Sequence, residues 1–194
     1  MSAAPTKDFL KDAVYLVDSS SYIFRAYYAI RAGLKGPDGT PTHATFGFAQ
    51  MVLSLLDTYK PKHCVFIWDT KEKGFRHEIF GEYKANRGAP PEDLGIQIEN
   101  SKSFLSALAL PQLEKGGFEA DDIIATLVAK NPKAHFVIVT GDKDLLQLVN
   151  DHVWCLDTMK QKWSNLAEAE EKFGVSPEQI VEVQALSGDS VDNI

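Results

Sequence analysis

Nine acidic residues of this chain lie where an apolar strand or helix meets a loop, and together they could do metal chemistry. They are Asp18, Asp69, Glu119, Asp121, Asp122, Asp142, Asp144, Asp189 and Asp192. Carboxylates that folding brings within a few ångströms of one another repel, and burial raises the cost, so such a cluster takes up protons or binds hard divalent cations. The sequence therefore predicts a magnesium or manganese site.

Short apolar runs that alternate with helical patterns must position these residues. The pattern predicts strands at 14–17, 64–68, 135–140 and 153–156, and helices at 22–30, 45–59, 119–130 and 145–149. A serine of the run at 19–21 is expected to cap the first helix. The alternation predicts an α/β fold, a twisted parallel sheet with helices on both faces. Because ligands of such sheets bind beyond the carboxyl ends of the strands, we expect Asp18, Asp69 and Asp142 at one rim.

The remaining acidic motifs leave two interpretations open. Glu119, Asp121 and Asp122 begin a predicted helix, where negative charge either stabilises the helix dipole or binds metal. Glu119 and Asp122 share a helix face, Asp121 points elsewhere, and Asp122 is the doubtful ligand. Asp142 and Asp144 follow a strand two residues apart and would repel unless something neutralised them, which favours ligation.

A segment between the second predicted strand and the 119–130 helix combines cations with aromatic rings. Its basic residues are Lys71, Lys73, Arg76, Lys84 and Arg87, interleaved with Phe75, Phe80 and Tyr83. Such alternation suits a single nucleic-acid strand, with cations for phosphates and rings for bases. The alternative is a solvated helix face with Phe75 and Phe80 packed on the core. If the segment is helical, Phe80, Tyr83, Lys84 and Arg87 line one side.

Composition limits the class of protein. The net charge is −7, yet residues 1–111 hold 13 basic and 12 acidic side chains, whereas residues 112–194 hold 7 and 15. The acidity is therefore concentrated in the half that carries seven of the nine acidic residues. The two cysteines form no C-x-x-C pair, and no apolar run of about 18 residues is present. We expect a soluble, cytoplasmic protein without a membrane segment.

These motifs, taken together and in order, closely resemble the 5′ nuclease family. That family comprises the 5′–3′ exonuclease domain of bacterial DNA polymerase I, its phage relatives and the flap endonucleases. The resemblance rests on the stretches at 16–21, 25–28, 68–70, 75–78, 83–87, 118–123, 139–145 and 186–193. It implies a core like that of PIN domains, with a helical arch inserted at about residues 71–100.

The resemblance also implies roles for individual residues. A first divalent ion, Mg²⁺ or Mn²⁺, would be held by Asp18, Asp69, Glu119, Asp121 and Asp122, and a second by Asp142, Asp144, Asp189 and Asp192. Asp69, Asp121, Lys84 and Arg87 are the expected catalytic residues. Tyr83, Lys84 and Arg87 would guide the 5′ strand of DNA, and Arg25 and Arg76 would contact further phosphates.

The implied protein is a metal-dependent 5′–3′ exonuclease or flap endonuclease that hydrolyses DNA near 5′ ends. We expect one domain over residues 1–194, acting as a monomer in the bacterial nucleoid, with a polymerase domain in the same parent chain. The family's C-terminal duplex-binding helical element, with its potassium ion, is expected to be absent. Two alternatives remain, a ribonuclease of the PIN type and a module that binds branched DNA without cutting it.

Overall fold

A single mixed sheet organises the chain in the computed structural model, which describes residues 4–30 and 33–194. Its strands are β1 (Val14–Asp18), β2 (His63–Ile67), β3 (Gln112–Leu113), β4 (Phe136–Val139), β5 (Val153–Asp157) and β6 (Lys162–Ser164). Their order across the sheet is β3-β2-β1-β4-β5-β6. The first five run parallel, which confirms the predicted α/β class.

One edge strand departs from the predicted parallel arrangement, because β6 pairs antiparallel to β5. Only residues 158–161 separate these two strands. A parallel return needs a crossover of a dozen residues or more, so a connection this short can only form a hairpin.

Helices cover both faces of the sheet, as predicted. They are α1 (Lys7–Asp12), α2 (Ser19–Ala29), α3 (His43–Tyr59), α4 (Phe75–Ile79), α5 (Leu94–Ala107), α6 (Ala120–Lys130), α7 (Leu166–Phe173) and α8 (Ile180–Ser187). Tyr15 and Val17 of β1 face a core that includes residues of α2, α3 and α5. Leu16, between them, faces a second core with α6 and α7. This alternation is the period of two that a strand buried on both faces requires.

Several element boundaries differ from the predicted ones. The helix after β1 begins at Ser19, and its cap is Asp18, whose carboxylate accepts the Ser21 N–H at 2.9 Å. The predicted serine cap is therefore wrong, because β1 leads into α2 with no loop between them. The turn after β4 forms a 3₁₀ helix, Asp144–Leu148, where an α-helix was expected. The pattern does not predict α1, α5, α7, α8 or the short strands β3 and β6.

The arch segment, residues 71–100, is helical at both ends but not in its middle, whereas the resemblance implies a helical arch. The five-residue α4 is followed by turns over 81–87, and α5 begins only at Leu94. Lys84 has a φ of 58°, which breaks any helix through this stretch. Tyr83 is consequently buried, while Phe80 remains exposed, so these residues do not line one helix side.

None of the described helices combines the length and the apolar character needed to cross a membrane.

Candidate active site

Eight of the nine predicted acidic residues line one cavity of about 380 Å³. They are Asp18, Asp69, Glu119, Asp121, Asp142, Asp144, Asp189 and Asp192. The cavity lies beyond the carboxyl ends of β1, β2 and β4, because Asp18 ends β1 while Asp69 and Asp142 follow the other two strands within three residues. We call it the carboxylate cavity. Lys84 and Arg87 lie on its wall together with Ser20 and Phe24.

Asp18 is the most deeply placed of these carboxylates. Its side chain accepts hydrogen bonds from the Ser21 N–H and from the Thr140 hydroxyl, both at 2.9 Å. Burial raises the pKa of Asp18 to about 7, and the charges of Asp69 and Asp142 add to the shift, although the two hydrogen bonds oppose it. A carboxyl group with this pKa exchanges its proton for a cation at low cost near neutral pH.

Asp69 joins the end of β2 to the start of α6. Its Oδ1 accepts the Ala120 N–H at 2.6 Å, and its own N–H donates to Ser20 Oγ at 2.8 Å. Asp121, one residue into α6, is half-buried beside it. Burial raises the pKa of Asp121 to about 6, and the neighbouring charge of Glu119 contributes. Contacts with backbone N–H groups therefore hold the first group of acids at the rim.

Asp122 turns away from the carboxylate cavity. It receives two parallel hydrogen bonds from Arg76, at 2.7 and 2.8 Å, and one from the Glu119 N–H at 3.0 Å. Burial alone would raise the pKa of Asp122, but these hydrogen bonds outweigh burial and lower it. Asp122 thus completes the capping box of α6 and anchors Arg76. It does not line the carboxylate cavity, although it lines a smaller cavity, of about 120 Å³, together with Asp121 and Asp144.

The second acidic group is held by the loop after β4 and by the C-terminal turn, residues 189–194. Asp142 Oδ1 accepts the Asp144 N–H at 2.9 Å, and the Asp142 N–H donates to Thr140 Oγ1 at 3.0 Å. Asp144 also accepts a hydrogen bond from Gln184 of α8. Burial raises the pKa of Asp144, and the charge of Asp142 adds to this shift.

The arch segment closes over the site and contacts the C-terminal turn. The Tyr83 hydroxyl lies 3.1 Å from both Glu119 Oε2 and Asp192 Oδ2, so two carboxylates share its proton. Lys84 Nζ donates to Glu119 Oε1 at 2.6 Å, and Arg87 pairs with Asp192. The predicted strand-guiding cations therefore lie directly against the predicted metal ligands.

The donor set suits a hard divalent ion, because it consists of carboxylate oxygens around one cavity. Within residues 4–30 and 33–194, however, no three His, Cys, Asp or Glu side chains are arranged closely enough to hold one ion. Each carboxylate is instead engaged by a hydrogen-bond donor or by a cation such as Lys84 or Arg87. These internal partners offset the repulsion among the acids.

Two further predicted contacts with DNA are engaged inside the protein. Arg25 donates to Asp157 at 3.1 Å, at the end of β5, and Arg76 pairs with Asp122 as described. Sequence reasoning missed Thr140 and Ser20, which hold Asp18 and the Asp69 backbone in place. The available signal for Thr140 was a hydroxyl residue at the end of an otherwise apolar strand.

Comparison with solved structures identifies the class of this fold. The bacteriophage T5 D15 protein, co-crystallised with metal ions, superimposes with a TM-score of 0.76 at 24% identity, covering 94% of this chain and 69% of the phage protein. A T5 D15 flap endonuclease variant in a complex with DNA and metal ions matches with a TM-score of 0.74 at 23% identity, covering 94% and 68%. At this identity the likeness shows a shared fold, that of the phage 5′ nucleases.

The sequence itself establishes the family. Residues 13–174 match the profile of the 5′–3′ exonuclease, N-terminal resolvase-like domain. DNA polymerase I of Rhizobium leguminosarum is 42% identical over 192 residues, which cover 94% of this chain and 19% of that polymerase. A 5′–3′ exonuclease of Aquifex aeolicus is 37% identical, covering 93% of this chain and 63% of that protein. The chain belongs to the 5′–3′ exonuclease N-terminal domain family, and it spans about a fifth of the polymerase relative.

Proposed function

We propose that this chain is the nuclease part of a DNA-processing enzyme that hydrolyses phosphodiester bonds near 5′ ends, with a 5′ flap or 5′ end as substrate. The observation that carries the proposal is the convergence of eight carboxylates from three strand ends, α6 and the C-terminal turn on one cavity. Membership of the 5′–3′ exonuclease family supports the same reaction. As in the polymerase relatives, the parent protein would add a polymerase domain, and the nuclease part would act as a monomer.

The carboxylates would hold two divalent cations, Mg²⁺ or Mn²⁺. Asp18, Asp69, Glu119 and Asp121 form one group of ligands, and Asp142, Asp144, Asp189 and Asp192 form the other. Asp122 would act only through its partners, because Arg76 occupies both of its oxygens. Bound metal ions in such a pair supply an activated water and stabilise the leaving oxygen, which removes the need for a side-chain nucleophile.

A second cavity, of about 570 Å³, gives the 5′ strand a path into the site. It opens beneath the arch segment and shares Ser20, Phe24, Asp69, Lys84, Arg87 and Glu119 with the carboxylate cavity. Lys71 and Lys73 also line this cavity, with His77 and Phe118 as ring surfaces. Cations for phosphates and rings for bases are the elements of a single-strand channel.

Lys84 and Arg87 would exchange their partners when a substrate binds. Both cations now neutralise Glu119 and Asp192, each of which the proposal makes a metal ligand. If those carboxylates held divalent ions, Lys84 and Arg87 would be free to turn toward the phosphate oxygens, where a well-placed donor is worth about 3 kcal/mol in the transition state. Lys84→Ala should therefore slow single-turnover cleavage about a hundredfold.

A labelled flap substrate tests the proposal directly. DNA duplexes with a 5′ flap, and the same substrates with an RNA flap, are incubated with Mg²⁺, with Mn²⁺ and with chelator. We expect cleavage of the DNA flap that depends on metal and leaves a 5′ phosphate on the downstream product. Cleavage in chelator, or a preference for the RNA flap, would refute the proposal. Binding of the flap duplex with no metal-dependent product would make the chain a branched-DNA binding module.

A further inference from the structure

A third cavity, of about 440 Å³, lies beside the carboxylate cavity and has no part in the proposed chemistry. It is enclosed by the loop after β4, the β5–β6 hairpin and α7. Its wall carries four lysines, namely Lys143, Lys160, Lys162 and Lys172. The chain has only seven basic residues after position 111, so more than half of them meet in this one cavity. We call it the lysine cavity.

The carboxylates around the lysine cavity do not neutralise these cations. In the described part of the chain, Lys143, Lys162 and Lys172 have no carboxylate oxygen within ion-pair distance, and only Lys160 has one, Asp157 at 3.3 Å. Asp157 is already bound by Arg25 at 3.1 Å, so it is shared by two cations.

Two other acids of the wall are already accounted for, Glu168 by a hydrogen bond and Asp142 as a proposed metal ligand. Glu168 accepts the Asn165 N–H at 3.1 Å and so caps α7. Asp142 belongs to the second group of proposed metal ligands. Of the acidic residues on the wall, only Glu171 then remains without a described contact, against the three unpaired lysines.

The lysines of the cavity are close enough to influence one another. Burial lowers the pKa of Lys172, and the positive charges of Lys160, Lys143 and Lys162 lower it further, while Asp142 opposes the shift. Like charges gathered in this way destabilise one another until an anion enters. An oxyanion among the four ammonium groups would remove that repulsion.

The lysine cavity and the carboxylate cavity are adjacent. Asp142 and Lys143 line both of them, so a group in the lysine cavity lies next to the second set of acidic residues. Gly141 lines the lysine cavity, and the Arg25 guanidinium packs against its backbone. A nucleic-acid strand whose scissile phosphate lies at the carboxylate cavity would thus present a neighbouring part of its backbone to the four lysines.

We infer that the lysine cavity binds a backbone phosphate of the DNA substrate beside the cleavage site. The inference rests on the proposed function for the identity of the ligand, while the chemistry of the site requires only a phosphate group. A free phosphate or a 5′-mononucleotide is the other source of that group. The site extends the binding surface across the β5–β6 hairpin, away from the arch segment.

Equilibrium binding of a 5′-flap duplex, measured in chelator so that no cleavage occurs, tests the inference. Lys160→Ala/Lys162→Ala is compared with Lys130→Ala/Lys133→Ala, a control with the same charge change on exposed lysines at the opposite end of the sheet. One phosphate contact changes the salt slope by about 0.9, which amounts to about eightfold in affinity between 1 M and 0.1 M salt. The cavity variant should bind about eightfold more weakly or worse at 0.1 M salt, with a shallower salt slope.

A neutral linkage in the DNA locates the contact. Replacing single phosphates near the cleavage site by uncharged methylphosphonates should reveal one position that weakens binding to the wild type and has no effect on Lys160→Ala/Lys162→Ala. Equal affinities of the cavity and control variants, with both folded by circular dichroism, would overturn the inference. Loss of inorganic phosphate binding with unchanged DNA affinity would also overturn it. A cavity-specific loss of DNA affinity in a chain that never cleaves would refute the proposed nuclease reaction and still support the phosphate site.

Discussion

The pair of Arg76 and Asp122 determines how the arch segment is held, and replacing Arg76 by alanine tests this role. The guanidinium makes two parallel hydrogen bonds to Asp122, at 2.7 and 2.8 Å, and lies 3.9 Å from Glu119. It also stacks over the Phe75 ring at 4.8 Å. Arg76 therefore connects α4, in the arch segment, to the first turn of α6.

The expected magnitude follows from the exposure of the pair. The Arg76 side chain is 34% exposed and that of Asp122 is 16% exposed. Breaking a fully buried pair costs about 3–5 kcal/mol, whereas an exposed pair contributes about 0.2–1 kcal/mol. For a pair one-third exposed on one side we expect Arg76→Ala to lower the free energy of unfolding by about 2 kcal/mol, because Asp122 is left with only the Glu119 N–H.

Urea unfolding of Arg76→Ala, Asp122→Ala and the double variant measures the coupling between the two side chains. We expect a coupling energy of about 1–2 kcal/mol, with Arg76→Lys intermediate because lysine cannot make two parallel bonds. Lys73→Ala is the control for unfolding, because Lys73 is an exposed lysine of the same segment that has no ion pair within residues 4–30 and 33–194. A loss below about 0.5 kcal/mol, combined with weaker DNA binding, would refute this structural role and favour Arg76 as a phosphate contact.

Three further outcomes follow from the contacts of the rim. Thr140→Val removes a hydrogen bond to the ionised Asp18, which is worth about 1.5–3 kcal/mol. The pKa of Asp18 should therefore rise, and with it the pH at which cleavage reaches half its maximum, by at least about one unit. An unchanged pH–rate profile would contradict this. Gly141→Ala should displace the Arg25 guanidinium and lower the unfolding free energy by about 1 kcal/mol in urea titrations. The pKa of Asp157 is lowered, because hydrogen bonds and the charge of Arg25 outweigh burial. The ionised Asp157 therefore stabilises the folded protein above its unfolded pKa, and this contribution is lost as the pH falls through its folded pKa. Asp157→Asn should flatten the loss of folding stability below about pH 4.

The position of the rim acids could be predicted from the sequence because it depends on two regularities. Apolar runs of four to five residues define β1, β2 and β4, and parallel strands present their carboxyl ends at one edge. Asp18, Asp69 and Asp142 follow those runs closely, so their convergence required no knowledge of packing. The antiparallel β6 escaped prediction because three residues carry too little periodicity.

The partners of the site residues could not be predicted, because they depend on an irregular segment. The burial of Tyr83 between Glu119 and Asp192 follows from turns at 81–87, in which Lys84 adopts a positive φ. A helical interpretation of the same residues places Tyr83 on an open face. The bidentate bond of Asp122 to Arg76 likewise joins residues 46 positions apart, and sequence spacing does not show such a pairing.

The central claim is that the acids of the rim work as one metal-dependent site, and Asp121→Asn tests it most directly. Single-turnover cleavage of a 5′-labelled flap duplex is followed across a Mg²⁺ titration for the wild type, Asp121→Asn and Asp57→Asn, an exposed carboxylate outside the site. Losing even an outer partner of a metal site costs about 10–100-fold, so Asp121→Asn should lose about a hundredfold or more at a given Mg²⁺ concentration, while Asp57→Asn matches the wild type. Equal rates for all three proteins would contradict the account.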